Sequence, residues 1–354
     1  MEKLPLKVPV EQIETRAVLK QLAETRAALA KLQGISLTIP NENILIDTLI
    51  LQEAKESSAI ENIVTTHDEL YKSNFQVNEY TTAAAKEVYA YTEAVKMGYN
   101  EIQKTGLIST NLILRIQQLI EQNDAGFRKL PGTALKNEQT GETIYTPPQH
   151  PDEIAELIDN LVWFINEPTA MDVDPLVKMA IIHHQFESIH PFYNGNGRTG
   201  RIINVLFLLK EELLSLPILY MSRFIIEYRQ TYYQLLQTTR ETGDWEAWVM
   251  YMLTAIRLTA KETYNTILEI KLMMYDYKNK IRTKARKIYS QDLLNNLFRH
   301  PYTKIALLQN ELKVSRPTAR KYLERLTKMG LLNKVKVGRD NYYVNEQLVE
   351  LLKG

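Results

Sequence analysis

The sequence predicts a mainly α protein: a helical body with one β-hairpin, followed by a small α+β winged helix-turn-helix. Three observations carry this expectation. Apolar residues recur at three- and four-residue spacing through most of the chain. Gly and Pro, 13 of each in 354 residues, are too few for a turn-dense β-sandwich. The charge is split. Residues 1–280 carry a net −9 and residues 281–354 a net +10, which leaves +1 overall and marks a separate basic module with a polyanionic partner.

Taken in order, residues 11–33 hold the helical spacing with no Gly or Pro before Gly34, so one helix is expected there. The same reading gives helices over 41–60, 82–103 and 110–122. The segment 132–148 differs. Its Thr, Ile and Tyr residues flank Gln139-Thr140-Gly141, and the pair Pro147-Pro148 closes it, the pattern of a β-hairpin. Helical spacing resumes over 151–166, 175–189, 198–213, 223–239 and 245–280. In the basic module, 305–330 reads as two helices. Ser315 is placed as an N-cap and Pro317 at an early helical position, and Gly330 ends the second helix. The stretches LLNKVKV and NYYVN around Gly338-Arg339-Asp340-Asn341 then form strand, turn and strand. Helix, turn, helix, hairpin is the order of a winged helix-turn-helix. Its cations, Arg316, Arg320, Lys321, Arg325, Lys328, Lys334, Lys336 and Arg339, suit phosphate contacts.

Composition excludes several chemistries. With no cysteine, disulfides, zinc–thiolate sites, Fe–S clusters and thiol nucleophiles are out. The longest apolar run, Ile203 to Leu209, is broken by Asn204 and is far short of a membrane span. The N-terminus, MEKLPLKVPVEQ, lacks the apolar stretch of a secretory signal, so a cytoplasmic location is expected.

The chemistry concentrates in Phe186 to Arg201, FESIHPFYNGNGRTGR. Pro191 pushes the residue before it out of the α region, so a helix ends near Ile189. Gly195-Asn196-Gly197 makes a tight turn, and a new helix starts near Arg198. Backbone N–H groups at such a turn form an anion site. Arg198 and Arg201 are three residues apart, so both guanidinium groups are expected on one side of the first turn, an arrangement that suits a polyphosphate. His190 has the side chain whose ordinary pKa suits a general base near neutrality. A competing reading places His183, Glu187 and His190 on one helical face as ligands of a divalent metal.

His190 to Arg201 resembles the signature of the Fic family, His-Pro-Phe-x-Asp/Glu-Gly-Asn-Gly-Arg-x-x-Arg. The hairpin at 132–148 resembles the family's flap, and residues 216–248 resemble the helices that follow the motif. Ser57-Ser58-Ala59-Ile60-Glu61-Asn62 is similar to the family's inhibitory pattern, Ser/Thr-x-x-x-Glu-Gly/Asn. The resemblance implies three parts: a helical N-terminal region over 1–105, a Fic catalytic domain over 106–280 and a winged helix over 281–354.

It also implies transfer of AMP from ATP to a Ser, Thr or Tyr hydroxyl of a protein, itself included, with release of pyrophosphate. His190 would be the base. Gly195, Asn196 and Gly197 would supply the anion hole, and Arg198 and Arg201 would hold the outer phosphates. Phe192 would anchor the loop in the core, and Tyr232 and Tyr233 would line the adenine pocket or sit in a helical core. The flap would hold the target by strand addition. Mg²⁺ would bridge the phosphates. Here the sequence departs from the pattern: the family's metal-binding acid is Asn194, a neutral amide, which puts Mg²⁺ affinity in question and leaves Mn²⁺ as an alternative. Glu61 would pair with Arg201 and keep it from the γ-phosphate, with Ser57 bonded to Glu61 or capping the segment.

The alternative function is a DNA-binding transcriptional regulator whose Fic body senses nucleotide. A third is transfer of another phosphate-containing group, or removal of AMP. The helical N-terminal region and the winged helix both offer surfaces for a homodimer.

Overall fold

The computed structural model describes residues 1–73, 82–136, 140–337 and 340–353. The expected hairpin residue Gln139 and the wing residue Arg339 lie outside them. The N-terminal part is helical: α1 (Val10–Ile13), α2 (Arg16–Ser36), α3 (Glu42–Ile60), α4 (His67–Lys72), α5 (Ala83–Thr105) and α6 (Thr110–Glu121). The helix expected over 11–33 is broken at Glu14, because Thr15 caps α2 by accepting from the Val18 N–H. The sequence reading missed α4, although Thr66 and Glu69 form a reciprocal capping box.

Strands β1 (Leu135–Lys136) and β2 (Thr143–Tyr145) pair antiparallel with a bulge, which is the expected hairpin. Then come α7 (Pro151–Asn166), α8 (Pro175–Ile189), α9 (Asn196–Lys210), α10 (Met221–Glu227), α11 (Arg229–Thr242) and α12 (Glu246–Lys284). The single helix expected over 223–239 is two, because Tyr228 leaves helical geometry (φ −113°, ψ 35°). Every residue of α8 from Leu176 to Ile189 is buried. An amphipathic period cannot show in such a helix, because all its sides face protein. α12 runs 39 residues and packs along α2 at one end and α8 and α10 nearby.

The basic module is a 3₁₀ turn (Arg286–Ile288), α13 (Gln291–Arg299), β3 (Tyr302–Thr303), α14 (Ile305–Leu312), α15 (Arg316–Lys328), β4 (Asn333–Val337), β5 (Asp340–Val344) and α16 (Glu346–Lys353). Ser315 caps α15 by accepting from the Thr318 N–H, and Pro317 lies in its first turn. Gly330 takes the left-handed conformation expected of it. Beyond the expected order, the module adds α13, α16 and the short strand β3, which completes a sheet of order β3-β5-β4. It is docked firmly. Tyr277 of α12 donates from its buried hydroxyl to the Leu331 carbonyl and to Asn345 Oδ1, each at 3.0 Å. Arg299 of α13 pairs with Asp47 of α3, Gln52 of α3 donates to the Leu352 carbonyl, and Tyr302 donates to Asp68 of α4 at 2.8 Å.

Candidate active site

α8 ends where the chain reaches Pro191. His190 accordingly takes a left-handed backbone conformation (φ 47°, ψ 58°) while its N–H still closes the helix on the Phe186 carbonyl. That geometry is uncommon for a residue with a Cβ, and the loop beyond holds it. Asn196 clamps the loop from both sides, its Oδ1 accepting from the Phe192 N–H and its Nδ2 donating to the Phe192 carbonyl. The Asn196 side chain is therefore spent on the loop, and what it offers an anion is its backbone N–H. Phe192 is fully buried, as expected. Gly195 caps α9 with φ +78°, which glycine adopts without strain. Helix α9 starts at Asn196, two residues before the expected Arg198, and its first turn leaves the N–H groups of Asn196, Gly197 and Arg198 without intrahelical acceptors.

A cavity of about 820 Å³ opens over this turn. His190, Gly197, Arg201, Glu61, Glu187, Tyr232, Tyr233 and Arg240 line it, together with the hairpin residues Leu135, Lys136, Ile144 and Tyr145. Arg201 is 2% exposed and faces α3. Its Nε donates to Ser57 Oγ at 2.8 Å, and its Nη2 donates to the Ser57 carbonyl at 2.9 Å and to Glu61 Oε1 at 3.1 Å. Ser57 thus bonds Arg201, not Glu61 as expected. Burial opposes the Arg201 charge, yet Glu61 and the neighbouring groups keep its pKa above the ordinary value. Gly197 is needed for this contact: a Cβ there would run into the Glu61 carboxylate.

Arg198 departs from the expected shared face. Its guanidinium turns to the carboxylates of Glu121 (2.6 Å) and Glu87 (3.2 Å) on α6 and α5, and it does not line the cavity. Residues three apart on a helix are about 60° apart around its axis, and long side chains diverge further when acids pull them to opposite sides. Asn194 stands exposed and lies outside the cavity lining.

His190 is half-buried, and desolvation together with the cations Arg128 and Arg240 lowers its pKa to about 4. Its imidazole is therefore neutral at physiological pH and ready to accept a proton. The metal face read from the sequence is not assembled. His183 Nε2 shares a 2.8 Å hydrogen bond with the Tyr232 hydroxyl, and its Nδ1 meets Asn204 at 3.0 Å. Burial lowers its pKa to about 3. No group of three His, Asp or Glu among the described residues could hold a metal. Tyr232 is a buried core residue that also borders the cavity, and Tyr233 borders it from an exposed position.

Several residues of the site were not legible in the sequence. Buried Arg128 donates from Nε to the His190 carbonyl and from Nη2 to the Pro148 carbonyl, both at 2.8 Å, tying the loop after α8 to the end of the hairpin. Arg240 donates to Ser188 Oγ and lies 4.2 Å from the centre of the Tyr145 ring. Nothing local distinguishes either arginine from a surface cation. Glu53 is buried beneath Ser57. It accepts from the Ser222 hydroxyl and N–H and from Tyr91, and burial raises its pKa to about 7. Its signal was present: Glu53, Ser57 and Glu61 recur every four residues, on one face of α3.

The helical body, the hairpin bordering the cavity and the glycine turn after His190 form one architecture with known structures. A Fic family protein from Desulfovibrio desulfuricans superposes with a TM-score of 0.58 at 19% identity, over 97% of this chain and 98% of the other. Residues 134–508 of Fic-1 from Caenorhabditis elegans superpose with 0.55 at 16% identity, over 72% of this chain and 74% of that one. Three family models match in succession: the Fic/DOC family N-terminal region over 19–100, the Fic/DOC family over 107–208, and the C-terminal domain of SoFic-like protein adenylyltransferases over 273–348. The chain belongs to the Fic family. A probable protein adenylyltransferase of Aquifex aeolicus is 30% identical over 192 residues, and the protein adenylyltransferase fic-1 of Caenorhabditis elegans is 29% identical over 107. The alignments span 56% and 19% of those proteins, and 52% and 30% of this chain. No helix among the described residues is long and apolar enough to cross a membrane.

Proposed function

We propose that this protein transfers AMP from ATP to a hydroxyl of a protein and that α3 holds it inhibited. The observation that carries the reading is Arg201. It lines the same cavity as His190, and its hydrogen bonds go to Ser57 and Glu61. An arginine buried under a glycine turn, in one cavity with a neutral histidine, suits phosphate binding and proton removal.

In the active form Glu61 withdraws, and the Arg201 guanidinium receives the outer phosphates. The N–H groups of Gly197 and its neighbours hold the phosphate nearer the sugar. Leu135 and Tyr145 pair across the hairpin, whose strands offer an edge along which a target segment adds, bringing a hydroxyl to His190. The hydroxyl oxygen attacks the α-phosphorus as its proton passes to His190. The bond from the α-phosphorus to the bridging oxygen breaks, and pyrophosphate leaves with that electron pair. His190 then releases its proton to solvent. Arg128 keeps the His190 backbone in register throughout. Arg198 reaches a phosphate only by leaving Glu87 and Glu121, so its first role is to hold α9 against α5 and α6.

These residues make no resident metal site. Asn194 offers one neutral oxygen, and hard divalent cations favour carboxylates. A divalent ion would come with the nucleotide, as its Mg²⁺ or Mn²⁺ complex, where Asn194 would offer at most one neutral oxygen and the ion would supply neutralisation of phosphate charge.

The test is label transfer from α-³²P-ATP to the protein itself and to a bacterial extract. Glu61→Gly is expected to raise incorporation at least tenfold, and His190→Ala added to it to abolish incorporation. Equal labelling of wild type and Glu61→Gly would remove the inhibitory role of α3. Undiminished labelling after His190→Ala would remove the proposed base.

A further inference from the structure

The C-terminal end of α12, the 3₁₀ turn after it and α15 enclose a groove of about 720 Å³ that AMP transfer does not use. One wall carries Lys284, Arg286 and Lys287, and the other Lys321, Arg325 and Lys328. All six are exposed. Glu324 is the one acid in the lining, and it is already paired with Arg320 at 2.8 Å. The walls are joined, because Arg325 Nη2 donates to the Lys284 carbonyl at 3.0 Å. That bond meets the negative end of the α12 dipole and ties the two rows of cations together.

The rows have a period. Lys321, Arg325 and Lys328 follow at intervals of four and three residues, so they recur about every 5 Å along one side of α15. A nucleic acid strand carries about one phosphate per 3.4 Å of helix axis, a spacing that a row of long cationic side chains can follow. Arg316 and Arg320 continue the exposed positive surface toward the N-terminus of α15, and Lys334 and Lys336 extend it onto β4. A helix with its side chains is about 10–12 Å across, and the major groove of B-DNA is about 12 Å wide. α15 is the second helix of a helix-turn-helix, and its N-terminal end is exposed.

We propose that Lys284, Arg286 and Lys287, together with α15, clamp the phosphate backbone of duplex DNA, with α15 directed into the major groove. Arg286 and Lys287, ahead of the helix-turn-helix, hold the flanking strand, so the binding surface begins at the end of α12. The proposal is independent of AMP transfer.

The test is fluorescence anisotropy of the full chain with an end-labelled 20-base-pair duplex of mixed sequence, from 50 to 300 mM NaCl. Six phosphate contacts give a slope of log K against log salt near about −5. Arg286→Ala/Lys287→Ala and Lys321→Ala/Lys328→Ala are each expected to weaken binding at least tenfold at 100 mM salt and to flatten the slope by about two. Lys321→Arg/Lys328→Arg is expected to keep both, and Lys20→Ala/Lys31→Ala on α2 to change neither. No duplex binding at 50 mM salt overturns the proposal, as does binding indifferent to both alanine pairs. It is equally overturned if polyglutamate competes as well as unlabelled duplex at equal charge, or if single-stranded RNA of the same length binds more tightly, because the surface would then belong to another class of partner.

Discussion

At residue scale, the site turns on a histidine that stays neutral. Desolvation and the nearby cations Arg128 and Arg240 hold His190 at about 4, below the ordinary 6.5, so its base form persists as pH falls. With Glu61→Gly, kcat/KM for label transfer is expected to show no acid limb near 6.5 from His190. Glu187 lies one helical turn before it and is raised by burial to about 7. A limb near 7 that disappears on adding Glu187→Gln would therefore belong to Glu187 and not to the base. His183 and His184, lowered by burial to about 3, are expected to keep neutral ring signals by ¹⁵N NMR from pH 7.5 to 5.5. A protonation midpoint near 6.5 for either would contradict their burial.

The loop from His190 to Arg201 was readable in the sequence because its signals are local: a proline ending one helix and a glycine starting the next. The direction of Arg198 was not. Its acids, Glu87 and Glu121, come from helices 111 and 77 residues away, and only the fold brings them to that side of α9. Arg128 was illegible for the same reason, since both its acceptors are backbone carbonyls set by tertiary structure.

At the scale of elements, α3 is held from two sides. Ser57 and Glu61 face α9, while Asp47 and Gln52 face the C-terminal module through Arg299 and Leu352. Asp47 also pairs with Lys96 of α5 at 2.7 Å, and although burial opposes its charge, these cations draw its pKa below the usual value. If Arg299→Ala weakens the seating of α3 by about 1 kcal/mol, the released population rises about fivefold. Label transfer by otherwise wild-type protein is expected to increase by that factor, and adding Arg299→Ala to Glu61→Gly to have little further effect. Multiplicative effects in the double variant would show that Arg299 acts by another route.

For the whole molecule, the helical core beneath the site and the docked basic module are separately testable. Trp248 is fully buried, donates from Nε1 to the Ala180 carbonyl at 2.8 Å and stacks on His183. Trp248→Ala is expected to cost about 3–5 kcal/mol, read as a lower denaturant midpoint. Tyr277→Phe removes the donor to Leu331 and Asn345 and leaves buried acceptors behind, at a cost of about 1–3 kcal/mol. Faster hydrogen exchange is expected in residues 331–345, with α8 unchanged. The mainly α class and the order of the basic module were legible from periodicity and caps. The docking that holds the parts together was not, because it rests on single hydrogen bonds between residues far apart in sequence.

The 39 residues of α12 give it a length of about 58 Å, with Trp248 against α8 near its start and Lys284 at the basic groove at its end. A continuous helix is also an angular gauge. One inserted residue turns everything downstream by about 100° and advances it about 1.5 Å, so the groove would swing away from its present bearing and the module would be pulled off α3. Seven inserted residues would nearly restore the bearing but move the module about 10 Å outward. Neither change spares both ends. The number of residues between Trp248 and Tyr277 is thereby constrained by geometry, even though side chains along that stretch, such as Leu272 and Tyr275, face solvent and are free to vary.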